Sequence, residues 1–169
     1  MENHVVLLAE DDEDEVFLLE RSMKKMRLRI DLQVVRDGEQ ALAYLRAEGK
    51  YRDRRQFPFP AFLLLDLCMP RMNGLEVLAA IREDPKLTRL TVVMLTVSEH
   101  QADICRASDL HANSYLLKPS DLTQLDEMVL TLEKYWLAWN HCGPCVMNLA
   151  PPQFQSVQPE QRERPWPQC

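Results

Sequence analysis

The chain has 169 residues and a net charge of −6, enough for one domain with a core of its own plus an appendage. The acidic balance argues against nucleic acid as the main partner, since phosphate binding needs a basic face. No apolar stretch approaches the roughly 20 residues that a membrane-spanning helix requires, and the early Glu2 is unlike a secretion signal.

The first element is VVLLA, Val5 to Ala9, a continuous apolar run suited to a strand covered on both faces. It stops at six consecutive acids, Glu10 to Glu15. Asp12 to Glu15 fit the first turn of a helix, where carboxylates meet the positive end of the helix dipole. Val16, Leu19, Met23 and Met26 continue that helix at the expected spacing. LQVV, Leu32 to Val35, is a weaker strand. GKYRDRRQFPFP, residues 49–60, is a long basic and aromatic loop. A nucleic-acid contact there is the bolder reading; a solvated loop with Phe57 and Phe59 tucked under its own edge is the simpler one.

AFLLL (Ala61 to Leu65) and TVVMLT (Thr91 to Thr96) again read as buried strands, with Leu75, Leu78, Ala79 and Ile81 in helical register between them. SYLL, Ser114 to Leu117, is the last strand. The final helix opens at Ser120 as N-cap and sets Leu122, Leu125, Met128, Val129, Leu132, Tyr135, Trp136 and Trp139 along one side. Five strands alternating with five helices define a parallel, doubly wound α/β domain over residues 1–140. Residues 141–169 hold six of the eleven prolines and read as a flexible tail.

In an open parallel sheet, ligands bind beyond the carboxyl ends of the strands. Glu10 and Asp11 leave the first strand there, Asp66 the third, Thr96 the fourth and Lys118 the fifth. Crowded carboxylates call for a cation, and a hard divalent ion with oxygen ligands answers. Lysine and a hydroxyl suit a phosphoryl group. An aspartate can itself be the nucleophile that forms an acyl phosphate. Asp66, ending the most apolar strand, is the best candidate.

The segments AEDD, LLLDLCMPRMNGLEVL, MLTVS and YLLKP, in that order, resemble the receiver domain of two-component response regulators over Val5 to Asn140. The resemblance implies a flavodoxin-like sheet of strand order 2-1-3-4-5. It makes Asp66 the acceptor of a phosphoryl group from a sensor histidine kinase. Asp11 would bind Mg²⁺ directly, Glu10 through water, and Cys68 through its backbone carbonyl, with Asp66 itself a ligand. Thr96 and Lys118 would hold the phosphoryl group, and Tyr115 would be the switch aromatic that turns inward as Thr96 is drawn to it. The only catalysis implied is the domain's own phosphorylation and dephosphorylation.

Finer features, namely the long loop, HANSYLLKPSD and EKYWLAWN, resemble the single-domain regulators paired with bacterial phytochrome kinases. The resemblance implies an output by protein contact, by relay to a further phosphotransfer protein, or by service as a phosphate sink. Many dimerise through the last helix, which makes Trp136 and Trp139 candidate contacts; capping their own core is the equal alternative. Two positions depart from the family pattern. Cys68 stands where Asn is common and brings a thiol that invites redox sensitivity. His111 stands where Gly is usual, which puts the turn geometry in question; it reads as a surface turn residue rather than a catalytic one.

Five cysteines, an odd number, fit reduced thiols in a cytoplasmic protein. CGPC, Cys142 to Cys145, matches the tetrapeptide of thioredoxin-like sites, but it follows a long helix instead of a strand. Disulfide exchange is therefore the lesser reading; coincidence, or a minor redox or metal role with His141, is the simpler one. An aspartate-nucleophile phosphatase needs a second carboxylate two residues after the nucleophile, and Cys68 occupies that place. A phosphorylation-independent binding module is disfavoured because Glu10, Asp11, Asp66, Thr96 and Lys118 are all present.

Overall fold

The computed structural model describes residues 4–140; the expectations for residues 141–169, including Cys142 to Cys145, lie outside them. Five parallel strands form one sheet in the order β2-β1-β3-β4-β5. They are β1 His4–Ala9, β2 Ile30–Val35, β3 Phe62–Leu65, β4 Val92–Thr96 and β5 Ser114–Leu117. Five helices alternate with them: α1 Glu13–Lys25, α2 Gly38–Arg46, α3 Gly74–Glu83, α4 Gln101–Asp109 and α5 Leu122–Leu132. Both the doubly wound class and the strand order agree with the expectation. Among the described residues no helix is long and apolar enough to cross a membrane.

The continuous apolar runs are explained by two cores, one on each face of the sheet. Leu7, Leu63, Leu65, Val92 and Met94 pack with Leu45, Leu78 and Ile81 of α2 and α3. Val6, Leu8, Phe62, Leu64 and Val93 pack with Val16, Leu19, Val129 and Leu132 of α1 and α5. Side chains alternate across a strand, so a strand covered on both faces must be apolar at every position.

Local signals set the helix ends. Asp12 is the N-cap of α1 and accepts from the backbone N–H of Asp14 at 2.8 Å, and Glu13 to Glu15 follow in the first turn. Asn73 and Glu76 form a reciprocal capping box on α3. The cap of α5 differs from expectation. Asp121, not Ser120, accepts from the N–H of Thr123, because a carboxylate one residue further on is the stronger acceptor for an N–H at a helix start.

The end of the last helix also differs. After Leu132 the chain widens into a π-helical segment, Glu133–Trp139, closed by a bond from Asn140 N to Tyr135 O at 2.7 Å. The wider winding breaks the predicted single stripe. Trp136 turns inward, its ring 6.5 Å from that of Phe62, whereas Tyr135 is 53% and Trp139 77% exposed. Leu122, at the other end of the stripe, is 48% exposed.

The long loop before β3 folds onto the domain, as the simpler reading holds. Phe57 and Phe59 pack against the α2–α3 core, and the rings of Tyr44, Tyr51 and Phe57 meet at centroid distances of 5.1–5.9 Å. Arg54 spends its guanidinium internally, donating to Leu45 O at 2.7 Å and Phe57 O at 3.1 Å.

Candidate functional site

Strand register brings the chemistry together. Ala9 pairs with Leu65, and Thr96 with Leu117, so Glu10, Asp66 and Lys118 each follow directly on strand ends aligned at one edge. Glu10 and Asp66 are buried, at 3% and 4% exposure, while Asp11 is exposed. One carboxylate oxygen from each of Glu10, Asp11 and Asp66 lies within 4.8 Å of the others. This all-oxygen cluster is chemically fitted to a hard divalent ion.

Lys118 crosses to the cluster from the far strand. Its Nζ lies 3.0 Å from Asp66 Oδ1 and 2.6 Å from Glu10 Oε2, and also pairs with Glu15. Asp66 is oriented on its other side by the backbone N–H of Cys68, which donates to Oδ2 at 2.8 Å. Burial, reinforced by the neighbouring Asp66, pushes the Glu10 carboxyl up to about 7 although Lys118 pulls it down. Burial opposes the charge on Lys118, but hydrogen bonds to Glu10 and Glu15 outweigh it and hold the amine above its ordinary value. Glu10 is thus an acid whose charged form is opposed chiefly by its burial.

Thr96 is fully buried at the end of β4, and its Oγ1 accepts from the N–H of Ser98 at 3.2 Å. With a lone pair so occupied, the hydroxyl hydrogen is left to donate elsewhere. Tyr115 is half-buried against the α2–α3 core, and its hydroxyl donates to Ser98 O at 3.0 Å. Ser98 therefore touches both residues expected to move together. Burial raises the Tyr115 phenol above its usual range, so it stays a hydrogen-bond donor.

The loop between β3 and α3 is held tight over the site. A Cβ on Gly74 would lie 2.2 Å from the carbonyl oxygen of Asp66, so only glycine allows that approach. Arg71 sits in the left-handed region at φ 66° and pairs with fully buried Asp37, the N-cap of α2. The Cys68 side chain is exposed, and its thiol is raised by burial and then by Asp66.

His111 keeps the turn that glycine would favour, with φ 57°. It is exposed and far from catalytic use; its contribution is its carbonyl, bound by Arg82. Sequence reasoning missed Glu15 and Gly74 at the site, and Arg82 at the turn before β5. Glu15 could be placed in the first turn of α1, but its contact with Lys118 joins elements distant in sequence and leaves no local signal.

A parallel sheet with this acidic cluster, hydroxyl and lysine at its carboxyl edge is a receiver. Residues 6–130 match the model of the response regulator receiver domain, and the chain belongs to that family, whose members act in two-component signalling. The response regulator Rcp1 of Synechocystis sp. is 38% identical over 133 residues, covering 79% of this chain and 88% of Rcp1. The phosphorylated cyanobacterial phytochrome response regulator RcpA superposes with a TM-score of 0.77 at 36% identity, covering 84% of this chain and 99% of that one. The Mn²⁺-bound form of Rcp1 does so with a TM-score of 0.74 at 36% identity, covering 83% and 99%. Receiver domains bind a divalent metal, and Glu10, Asp11 and Asp66 are the fitting donors here.

Proposed function

We propose that the protein accepts a phosphoryl group on Asp66 from a sensor histidine kinase of the phytochrome type, in the cytoplasm. The observation that carries this reading is the buried Asp66 carboxylate held between Lys118 Nζ at 3.0 Å and the N–H of Cys68 at 2.8 Å. An Asp66 oxygen attacks the phosphorus of the kinase phosphohistidine; the N–P bond breaks and imidazole leaves. Mg²⁺, held by Asp11, Asp66 and the Cys68 carbonyl with Glu10 through water, would shield the carboxylates from the incoming dianion. Lys118 and the Thr96 hydroxyl receive the transferred oxygens. As Thr96 is drawn toward them, Ser98 carries the movement to Tyr115, which biases the surface formed by α4 and β5.

Output on this reading is a protein contact or a relay to another phosphotransfer protein, and the chemistry is confined to making and losing the protein's own acyl phosphate. A homodimer through the last helix is part of it, with exposed Trp139 as the contact and Trp136 as its support. The similarity to Rcp1 and to phosphorylated RcpA supports the kinase class.

The test is intact-protein mass after incubation with acetyl phosphate, with and without Mg²⁺, on the natural chain and on Asp66→Asn. A metal-dependent gain of one phosphoryl group that vanishes in the variant is expected. Equal gain in the variant, or none in the natural chain, rejects the reading.

A further inference from the structure

Lys118 is asked to serve three acceptors. Its ammonium has three N–H donors, and in this structure Asp66, Glu10 and Glu15 take one carboxylate contact each. None is left for a phosphoryl oxygen. The three acceptors are not equally easy to release. Glu10 and Asp66 are 4% and 6% exposed at their side chains, whereas Glu15 is 34% exposed. Water can take over the Glu15 carboxylate at little loss, whereas the more buried pair has far less access to it. Glu15 comes from the first turn of α1 and, with Glu10 and Lys118, lines a cavity of about 330 Å³ between α1 and α5 that opens beside the site.

We propose that Glu15 is a positioning residue that restrains Lys118, so that the amine reaches an incoming phosphoryl group only by exchanging out of the Glu15 ion pair. The inference rests on the reading of Asp66 as phospho-acceptor and deepens it. Two effects act in the same direction. The exchange adds to the barrier, because a transition-state donor must first be released. The Glu15 charge also repels an anionic donor approaching a site already rich in carboxylates. Glu15 therefore slows phosphorylation by small donors and leaves the reaction to a kinase that brings binding energy of its own.

The experiment compares the natural chain with Glu15→Gln and Glu15→Asp in the presence of Mg²⁺. The first readout is the rate of phosphorylation by acetyl phosphate, in which an Asp66 oxygen attacks phosphorus and acetate leaves with the electron pair. The second is the affinity for beryllofluoride, a stable stand-in for the phosphoryl group that requires no transfer step. Glu15→Gln is expected to react about fivefold faster and bind beryllofluoride about fivefold tighter. Glu15→Asp keeps the charge and stays within about twofold of the natural chain. Thermal melts of all three report any loss of fold, which would lower both readouts, not raise them. A Gln variant no faster and no tighter than the natural chain, or an Asp variant as fast as Gln, overturns the proposal. A natural chain that takes neither acetyl phosphate nor beryllofluoride overturns instead the reading of Asp66 beneath it.

Discussion

Arg82 holds the carbonyl of His111 with two hydrogen bonds, from Nε at 3.1 Å and from Nη2 at 2.9 Å. The same guanidinium donates to Leu90 O at 3.0 Å and to Asn113 Oδ1 at 3.0 Å, and Asn113 Oδ1 also accepts from Val92 N at 2.8 Å. One side chain on α3 thus ties the approach to β4 to the turn before β5. Arg82→Ala is expected to lower stability by about 2 kcal/mol in urea unfolding, since charged hydrogen bonds are lost and partners stranded. Arg82→Lys recovers little, because an ammonium lacks the planar fork. A loss below about 0.5 kcal/mol would show the clamp to be incidental.

His111 itself is a place where the chain is improvable. A non-glycine residue at φ 57° carries the left-handed penalty, and glycine removes it at the expense of greater freedom in the unfolded chain. His111→Gly should raise stability by about 0.5–1 kcal/mol. The denaturation midpoint decides it; an unchanged or lower midpoint means the imidazole has a contact that matters.

Gly74 admits no side chain. With a Cβ placed 2.2 Å from the Asp66 carbonyl, Gly74→Ala must move backbone beside the acceptor. The expected result is at least about 2 kcal/mol of lost stability and a phosphorylation rate lower by about tenfold or more. A variant that phosphorylates normally would mean the loop has slack that this packing hides.

Metal binding should depend on pH through Glu10. Its folded carboxyl is held near 7 against an ordinary 4.5. Between those values the folded protein keeps a proton that the unfolded chain has released, so metal-free stability falls as pH rises through that window. A divalent ion needs the charged form and expels the proton, so affinity should strengthen about tenfold from about pH 6 to pH 8. Calorimetric titration in two buffers of different ionisation enthalpy counts the released proton. An affinity flat across that range would place Glu10 outside the metal's reach.

Trp136 and Trp139 should separate in their effects. Trp136 lies against Phe62 and, 4.8 Å from its ring centroid, Tyr135. Trp136→Ala should cost about 2–3 kcal/mol of stability. Trp139→Ser should leave the melting temperature nearly unchanged while weakening self-association about tenfold, as loss of an interface anchor does. Sedimentation of the natural chain as a monomer at all concentrations would end the dimer reading.

Much of this architecture was legible from residue order alone. The runs Val5 to Ala9, Ala61 to Leu65 and Thr91 to Thr96 could be placed because burial on both faces leaves no polar position to confuse the pattern. The site could be placed because strand ends in a parallel sheet share an edge. What stayed hidden depends on geometry that spacing does not carry. Asp121 displaced Ser120 as cap through competition between neighbouring acceptors. The π-helical winding after Leu132 split a stripe that looks continuous at 3.6 residues per turn. Glu15 and Arg82 act over contacts between elements distant in sequence, Lys118 and His111 being their partners.

The position of β5 at the edge of the sheet has a bearing on how the site is completed. β1 pairs with both β2 and β3, so the carboxylates of Glu10, Asp11 and Asp66 are gathered by neighbouring strands inside the sheet. Lys118 reaches them through an edge strand that pairs with β4. Loosening of that one edge would withdraw the ammonium and leave the acids to repel one another, and a divalent ion bound among them would then take over the work of holding the edge together.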